Sequence, residues 1–208
     1  MKYTTVIVGD LGNNCYLVKD DAGRGFIVDP GSELDKIKEA VSAFGLTPLA
    51  VLLTHGHYDH MNEAHYFQAQ GIPVYVHSDD EVKLHTYKGM SLWAGVSHNG
   101  IRADVTLSGG EALKFGDLRV EVIHTPGHSA GGVCYKCGNL LFTGDTVFKR
   151  DYGRYDFYDG DFKTLKNMIV NKLFNLNGEY EVLPGHGDAS TLSYEKKFNP
   201  ILMDTGTD

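Results

Sequence analysis

Apolar residues along the chain fall into short strand-like runs separated by polar turns. Nine segments rich in β-branched and aromatic residues, bounded by Gly, Pro, Asn or Asp, predict strands. They cover residues 4–8, 14–18, 25–28, 48–54, 72–77, 121–124, 132–136, 139–143 and 181–183. The segments 132–136 and 139–143 are separated by a Gly-Asn turn, so we expect a hairpin there.

Three segments have apolar residues at helical spacing, and they lie between the strands. Residues 33–44, 60–70 and 162–175 are predicted to be helices, the first with Ser32 as its N-cap. The two halves of the chain share one order, strands followed by a helix. This order predicts an α/β fold with helices on the outer faces of sheets, in a single domain over residues 1–208. The segment 78–108 is less regular.

Composition narrows the function classes. Hydrophobic residues make up 42% of the 208 residues, charged residues 22%, and the net charge is -8. An acidic chain without a basic cluster argues against binding nucleic acid or an anionic membrane surface. No apolar stretch is long enough to span a bilayer, and the first residues lack a signal-peptide pattern, so the predicted location is the cytoplasm. The expected partner is a small-molecule substrate.

Four metal-binding residue types crowd together directly after the predicted strand 48–54. Imidazole and carboxylate groups are natural ligands for zinc and similar ions. Such crowding of partly charged groups is unfavourable unless a cation compensates for it. The segment has the order H-x-H-x-D-H and reads Thr54-His55-Gly56-His57-Tyr58-Asp59-His60.

Three further candidate ligands lie beside glycine at the ends of later strands. His128 follows the strand 121–124, Asp145 follows 139–143, and His186 follows 181–183. Each alone is more typical of a turn or cap residue. Their equivalent places at successive strand ends, together with the first motif, favour a shared metal site.

The seven candidate ligands resemble the metal signature of the metallo-β-lactamase superfamily over nearly the whole chain. Within it, the chain is similar to the glyoxalase II-like hydrolases, because Asp145 stands where true β-lactamases usually carry Cys. Three further segments resemble that branch: Asp29-Pro30-Gly31, Gly153-Arg154-Tyr155-Asp156-Phe157 and Thr191…Glu195…Asn199-Pro200.

The resemblance implies a four-layer α/β/β/α sandwich with two divalent ions at one edge of the sheets, Zn²⁺ first and Fe or Mn as alternatives. It implies a binuclear hydrolase of hydroxyacylglutathione-type thioesters, in which a hydroxide bridging the ions attacks the carbonyl carbon. Asp59 is the candidate to protonate the leaving group. In the implied ligand sets, one ion is held by His55, His57 and His128, the other by Asp59, His60 and His186, and Asp145 bridges both.

Other functions stay open at this point. Glyoxalase II resembles this core plus a C-terminal helical domain that grips glutathione, and no such domain is expected before the chain ends at Asp208. A lactonase or other ester hydrolase, and a persulfide dioxygenase with a single iron, are the alternatives, and a non-catalytic metal-binding protein is disfavoured by the full ligand set. The oligomeric state is left open.

Several further residues have predicted supporting roles. Asp29, Thr54, Thr125 and His124 are candidates to orient the ligands. Arg154 and Asp156 are expected to form a structural salt bridge, with contact to substrate as the alternative. The aromatic residues around them, with Trp93, either line a pocket mouth or pack in the core. Cys134 and Cys137 have C-x-x-C spacing, but they face opposite sides of a predicted strand, so neither a redox nor a metal role is expected.

Overall fold

The computed structural model describes residues 1–86 and 100–206. Two six-stranded sheets carry most of its regular structure. The strands of the first sheet, in spatial order, are β1 (Lys2–Val8), β2 (Asn13–Lys19), β3 (Arg24–Val28), β4 (Thr47–Leu52), β5 (Val74–His77) and β6 (Val105–Leu107). Among the residues described, no helix is both long and apolar enough to cross a bilayer.

The second sheet is built from the second half of the chain. Its strands, named in chain order, are β7 (Ala112–Phe115), β8 (Leu118–His124), β9 (Val133–Cys137), β10 (Leu140–Gly144), β13 (Glu181–Pro184) and β14 (Ser190–Thr191). In space their order is β14-β13-β10-β9-β8-β7. A separate two-stranded ribbon joins β11 (Val147–Phe148) to β12 (Asp151–Tyr152).

Helices cover the outer face of each sheet. They are α1 (Leu34–Phe44), α2 (Tyr58–Met61), α3 (Ala64–Ala69), α4 (Ser78–Glu81), α5 (Phe162–Met168) and α6 (Leu192–Phe198). One apolar core fills the space between the sheets, where Phe26 of β3 meets Phe142 of β10. A second core lies under α1 and α3, and a third under α5 and α6. The predicted four-layer α/β/β/α sandwich is therefore confirmed.

Strand direction places the candidate ligands at one edge. Strands β3, β4 and β5 are parallel, so they all end on the same side of the first sheet. In the second sheet β10 is parallel to β13, and both β8 and β10 are antiparallel to β9. The loops after β4, β8, β10 and β13 consequently meet at this edge, and these loops carry the seven candidate ligands.

Three predicted elements differ from the structure. Ser32 is not the N-cap of α1, because Glu33 takes that position with a left-handed backbone, φ 55°, and no side-chain cap bond forms. The helix predicted over 60–70 is split into α2 and α3, since the Glu63 amide donates to the Pro30 carbonyl at 2.9 Å instead of continuing a helix. The helix predicted over 162–175 is α5 followed by one π-helical turn, Ile169–Leu173.

Short elements were not predicted. Strands β6, β7, β11, β12 and β14 have two to four residues each, too few to display a periodic pattern. Helix α6 was also missed, although Thr191 caps it by accepting a hydrogen bond from the Tyr194 amide. Trp93, for which a pocket-mouth or core role is predicted, lies outside the described residues.

Candidate metal centre

The loop after β4 brings four side chains into one buried cluster. His55, His57 and His60 are 1%, 4% and 0% exposed, and Asp59 lies at the rim of the same cluster. Glycine is required in this loop, because a Cβ on Gly56 would lie 2.8 Å from the Cβ of Lys83. The tight loop therefore packs directly on the segment that follows β5.

All seven candidate ligands are brought together. One ring nitrogen from each of His55, His57 and His128 lies within 4.8 Å of the others. The same holds for a carboxylate oxygen of Asp59 and one ring nitrogen from each of His60 and His186. The Asp145 carboxylate lies between these two sets. Its Oδ1 is 3.4 Å from His60 Nε2, and its Oδ2 is 3.6 Å from His128 Nε2 and 3.7 Å from His186 Nε2.

In both sets, ring nitrogens of different histidines lie close to one another. His128 Nε2 is 3.2 Å from His55 Nε2 and 3.0 Å from His57 Nδ1, while His60 Nε2 is 3.3 Å from His186 Nε2. Two lone pairs at such a separation repel each other unless a proton or a cation lies between them. Asp145 Oδ1 is buried and makes no hydrogen bond within the described residues.

Four of the histidines are oriented by a hydrogen bond on the side away from the cluster. Each Nδ1 donates outward, which leaves the Nε2 lone pair pointing inward. The acceptors are Thr54 Oγ1 for His55 at 3.1 Å, Asp29 Oδ2 for His60 at 3.0 Å, the Arg154 carbonyl for His128 at 2.8 Å and the Leu11 carbonyl for His186 at 3.0 Å. This donor set fits divalent transition metals, zinc included.

The histidines of the two sets differ in their protonation. Burial lowers the pKa of His55 and His57 well below its ordinary value and also lowers the pKa of His128, so these rings stay neutral. Burial opposes charge on His60 as well, but the carboxylates of Asp145 and Asp59 outweigh it and raise the pKa of His60 to about 10. Without a metal, the set of Asp59, His60 and His186 therefore carries a positive charge as a proton on His60.

Of the four predicted orienting residues, two contact ligands. Asp29 accepts hydrogen bonds from His60 Nδ1 and from Thr54 Oγ1, and Thr54 in turn contacts His55. Thr125 instead contacts Cys134 and Thr146, and His124 donates to the Ala130 carbonyl at 2.9 Å.

A cavity of about 420 Å³ opens over the cluster. Its walls combine metal-site residues with apolar ones, namely Leu11, His57, Tyr58, Asp59, His128, Asp145, Phe148, Arg154, Phe157 and His186. Arg154 forms the predicted salt bridge with Asp156 at 2.9 Å, and its guanidinium lies 4.6 Å from the centre of the Phe157 ring. Of the nearby aromatics, Tyr152 and Tyr155 pack against the outer core instead.

A further donor group lies outside this centre. His77, Asp79 and His124 have ligand atoms within 4.8 Å of one another. The two rings are stacked, with centroids 4.0 Å apart and 14° between their planes. Lone pairs lie in the ring planes, so those of two stacked rings do not converge on one ion, and this group makes a poor metal site.

Comparison with known proteins places the chain among metal-dependent enzymes. The model of the metallo-beta-lactamase superfamily matches residues 8–186. The chain is 36% identical over 208 residues to the probable metallo-hydrolase YqgX of Bacillus subtilis, with 97% of this chain and 98% of that protein covered. It is 33% identical over 198 residues to the hydroxyacylglutathione hydrolase GloC of Haemophilus influenzae, with coverage of 91% and 92%.

Solved structures share the architecture. The BLEG-1 B3 metallo-beta-lactamase superposes with a TM-score of 0.90 at 32% identity, covering 98% of this chain and 100% of that chain. TTHA1623 in a di-iron-bound form superposes with a TM-score of 0.84 at 36% identity, covering 95% and 98%.

Proposed function

Because the chain belongs to the metallo-β-lactamase superfamily, we propose that it is a binuclear metal-dependent hydrolase of thioesters of the hydroxyacylglutathione type. One observation carries this proposal. The Asp145 carboxylate lies between two ligand sets and presents a different oxygen to His60 and to His128. A carboxylate in that position suits a bridge between two ions.

In the proposed centre, His55, His57 and His128 would hold one ion, Asp59, His60 and His186 would hold the other, and Asp145 would serve both. The proposed ions are Zn²⁺, with Fe or Mn as the alternatives. Bound there, they would supply a water of near-neutral pKa and polarise a carbonyl oxygen. Everything else in the reaction depends on how the chain positions the substrate and the proton.

The cavity walls suit an acyl thioester. Leu11, Phe148 and Phe157 provide apolar surface beside the ligand cluster, which excludes water from an acyl chain. Arg154 lines the cavity with an exposed guanidinium that is paired with Asp156, and it would approach an anionic group of the substrate. These contacts would orient the carbonyl carbon toward the cluster.

Asp59 is the proposed proton carrier. Its side chain lines the cavity, and its Oδ2 lies 3.4 Å from His186 Nε2. Burial raises the pKa of Asp59, but the neighbouring His60 and His186 outweigh it and lower that pKa below its ordinary value. Asp59 would therefore hold a proton only briefly and pass it to the departing group. A thiolate leaves readily, so a thioester needs only this modest assistance.

The test combines metal analysis with a substrate panel. We expect two ions per chain and fastest turnover with a hydroxyacylglutathione thioester, compared with lactones, a β-lactam and glutathione persulfide. Faster turnover of a lactone would favour the ester-hydrolase alternative. One iron per chain with oxygen consumption on persulfide would overturn the proposal in favour of the dioxygenase.

A further inference from the structure

An oppositely charged pair is buried beside the metal centre. Asp80 lies in α4, and Lys83 lies in the 3₁₀ turn Val82–His85 that follows. Both side chains are 0% exposed. Lys83 Nζ donates to Asp80 Oδ1 at 2.9 Å. Removing two charges from water is unfavourable, and charged residues are rarely buried completely. Neither residue belongs to the ligand set.

The Asp80 carboxylate joins two ligand loops. Its Oδ2 accepts hydrogen bonds from the Gly56 amide at 2.8 Å and from Ser129 Oγ at 2.9 Å, and its Oδ1 accepts from the Gly131 amide at 2.8 Å. Gly56 lies between His55 and His57, and Ser129 directly follows His128. The Asp80 carboxylate therefore forms hydrogen bonds with both loops that carry His55, His57 and His128.

Lys83 extends this connection to the cavity wall. Its Nζ lies 2.7 Å from Asp159 Oδ2, and that same oxygen accepts a hydrogen bond from the Ala130 amide at 3.0 Å. Asp159 follows Phe157, whose ring packs 4.9 Å from that of His57. The positive charge of Lys83 compensates for the negative charges of Asp80 and Asp159. Both carboxylates accept hydrogen bonds from the loop that follows His128.

Packing leaves these loops no room to move toward α4. A Cβ on Gly56 would lie 2.9 Å from the Asp80 carbonyl oxygen, and a Cβ on Gly131 would lie 2.6 Å from the Asp80 amide nitrogen. Both distances are shorter than any ordinary contact. The backbones of both loops therefore pack directly against the segment that carries Asp80 and Lys83.

We propose that Asp80 and Lys83 are positioning residues, which hold the loops of His55, His57 and His128 at the separation that one metal ion requires. This inference rests on the proposed metal-dependent function. It also predicts an asymmetry, because the second set is oriented by other groups: Asp29 bonds His60, and the Leu11 carbonyl bonds His186. Disturbing Asp80 should weaken one ion site and spare the other.

The main variant is Asp80→Asn. The asparagine side chain has an NH₂ group in place of one acceptor oxygen. This group would face the amide of Gly56 or Gly131, and two N–H donors cannot form a hydrogen bond with each other. We expect the affinity of one of the two sites to fall about 10–100-fold, the range found when groups behind metal ligands are removed. Titration of the metal-free protein with Co²⁺, followed by its visible absorption, resolves the two binding steps.

Asp20→Asn is the matched control. Asp20 is likewise buried, 3% exposed, and accepts backbone hydrogen bonds from Ala22, Arg24 and Asp117. It follows β2, at the opposite edge of the sheets from the ligands. This variant should lose stability without losing affinity at either metal site.

Two milder variants protect the test against loss of folding. Ser129→Ala removes a single hydrogen bond to Asp80 and should lower the same affinity by a smaller factor. Lys83→Arg keeps the charge and should retain more affinity than Lys83→Met. Amide exchange of Gly56 and Gly131 in the metal-free protein gives a second readout, and Asp80→Asn should accelerate both while Asp20→Asn should not.

The outcomes are distinguishable. Wild-type protein that binds no Co²⁺ or Zn²⁺ would contradict the proposed function, while the amide exchange would still test the positioning role. Unchanged affinity and exchange in Asp80→Asn, or an equal loss at both metal sites, would overturn the inference. So would an equal effect of Asp20→Asn on the metal sites.

Discussion

Asp29 Oδ2 lies 3.0 Å from Nδ1 of His60, and both side chains are buried. The carboxylate therefore retains the ring proton on Nδ1 and leaves Nε2 free to face the ligand cluster. Asp29 has a left-handed backbone, φ 50°, and its other oxygen accepts a hydrogen bond from the Thr54 amide at 2.7 Å. One residue after β3 thus orients the loop after β4 and one of its histidines.

Asp29→Asn should weaken metal binding by about 10–100-fold, because the group that orients His60 is altered. Asparagine tolerates the left-handed backbone, so the change tests the carboxylate and not the turn. Competition with a chelating dye measures the affinity. Wild-type affinity in this variant would exclude the orienting role.

Asp145→Ala should lose bound metal and nearly all hydrolase activity, because the carboxylate shared by the two ligand sets is removed. Metal content per chain, measured by mass spectrometry of the dissolved sample, checks the result. Asp188→Ala is the control, since that carboxylate is exposed and pairs with Lys149 at 3.0 Å. Two ions retained by Asp145→Ala would argue against bridging.

Removing the metal should lower the melting temperature. Close approach of ring nitrogens without a cation is repulsive, and a ligand bound only by the folded state stabilises it by about 2.7 kcal/mol at a free concentration 100 times its Kd. Thermal scans with and without a chelator measure the change, which added Zn²⁺ should reverse. Asp145→Ala should respond much less to the chelator.

The three cysteines should be unreactive in the folded protein. Burial raises the pKa of Cys134 and Cys137 to about 11 and that of Cys15 well above its ordinary value. A raised pKa means less thiolate, about one part in a thousand at pH 8 for a pKa near 11. Iodoacetamide should modify no cysteine at pH 8 until urea unfolds the chain, when all three should react.

Phe157→Ala should raise KM for an acyl thioester about tenfold, since loss of an aromatic wall removes roughly 1–2 kcal/mol of binding. The metal content should stay unchanged, because the phenyl ring makes no hydrogen bond and packs against the rings of His57 and His128 in T-shaped contacts. Steady-state kinetics separate KM from kcat. Phe198→Ala, at an exposed ring, is the control, and an equal effect there would remove Phe157 from the substrate wall.

The sequence could identify the histidines and aspartates that cluster in the structure because their signal is local. His55, His57, Asp59 and His60 stand within six positions, and the remaining three each follow an apolar run that the structure shows as a strand. The alternation of strands and helices likewise predicts the four layers.

Interactions between distant segments could not be predicted in this way. Ser78–Glu81 is a run of four polar residues, which is typical of an exposed turn, yet Asp80 is fully buried because two glycine-containing loops pack over it. Thr125 and His124 occupy strand-end positions like those of the ligands. The side chains point elsewhere, since strand-end position alone does not determine which neighbour a rotamer meets.

Each ligand set takes two residues from the first sheet's loops and one from the second, with His128 completing one set and His186 the other. A ribosome therefore releases the first four donors long before their partners exist. The set of His55, His57 and His128 is complete earlier than the set that needs His186. A nascent chain stalled before His186 leaves the exit tunnel should therefore hold at most one metal ion.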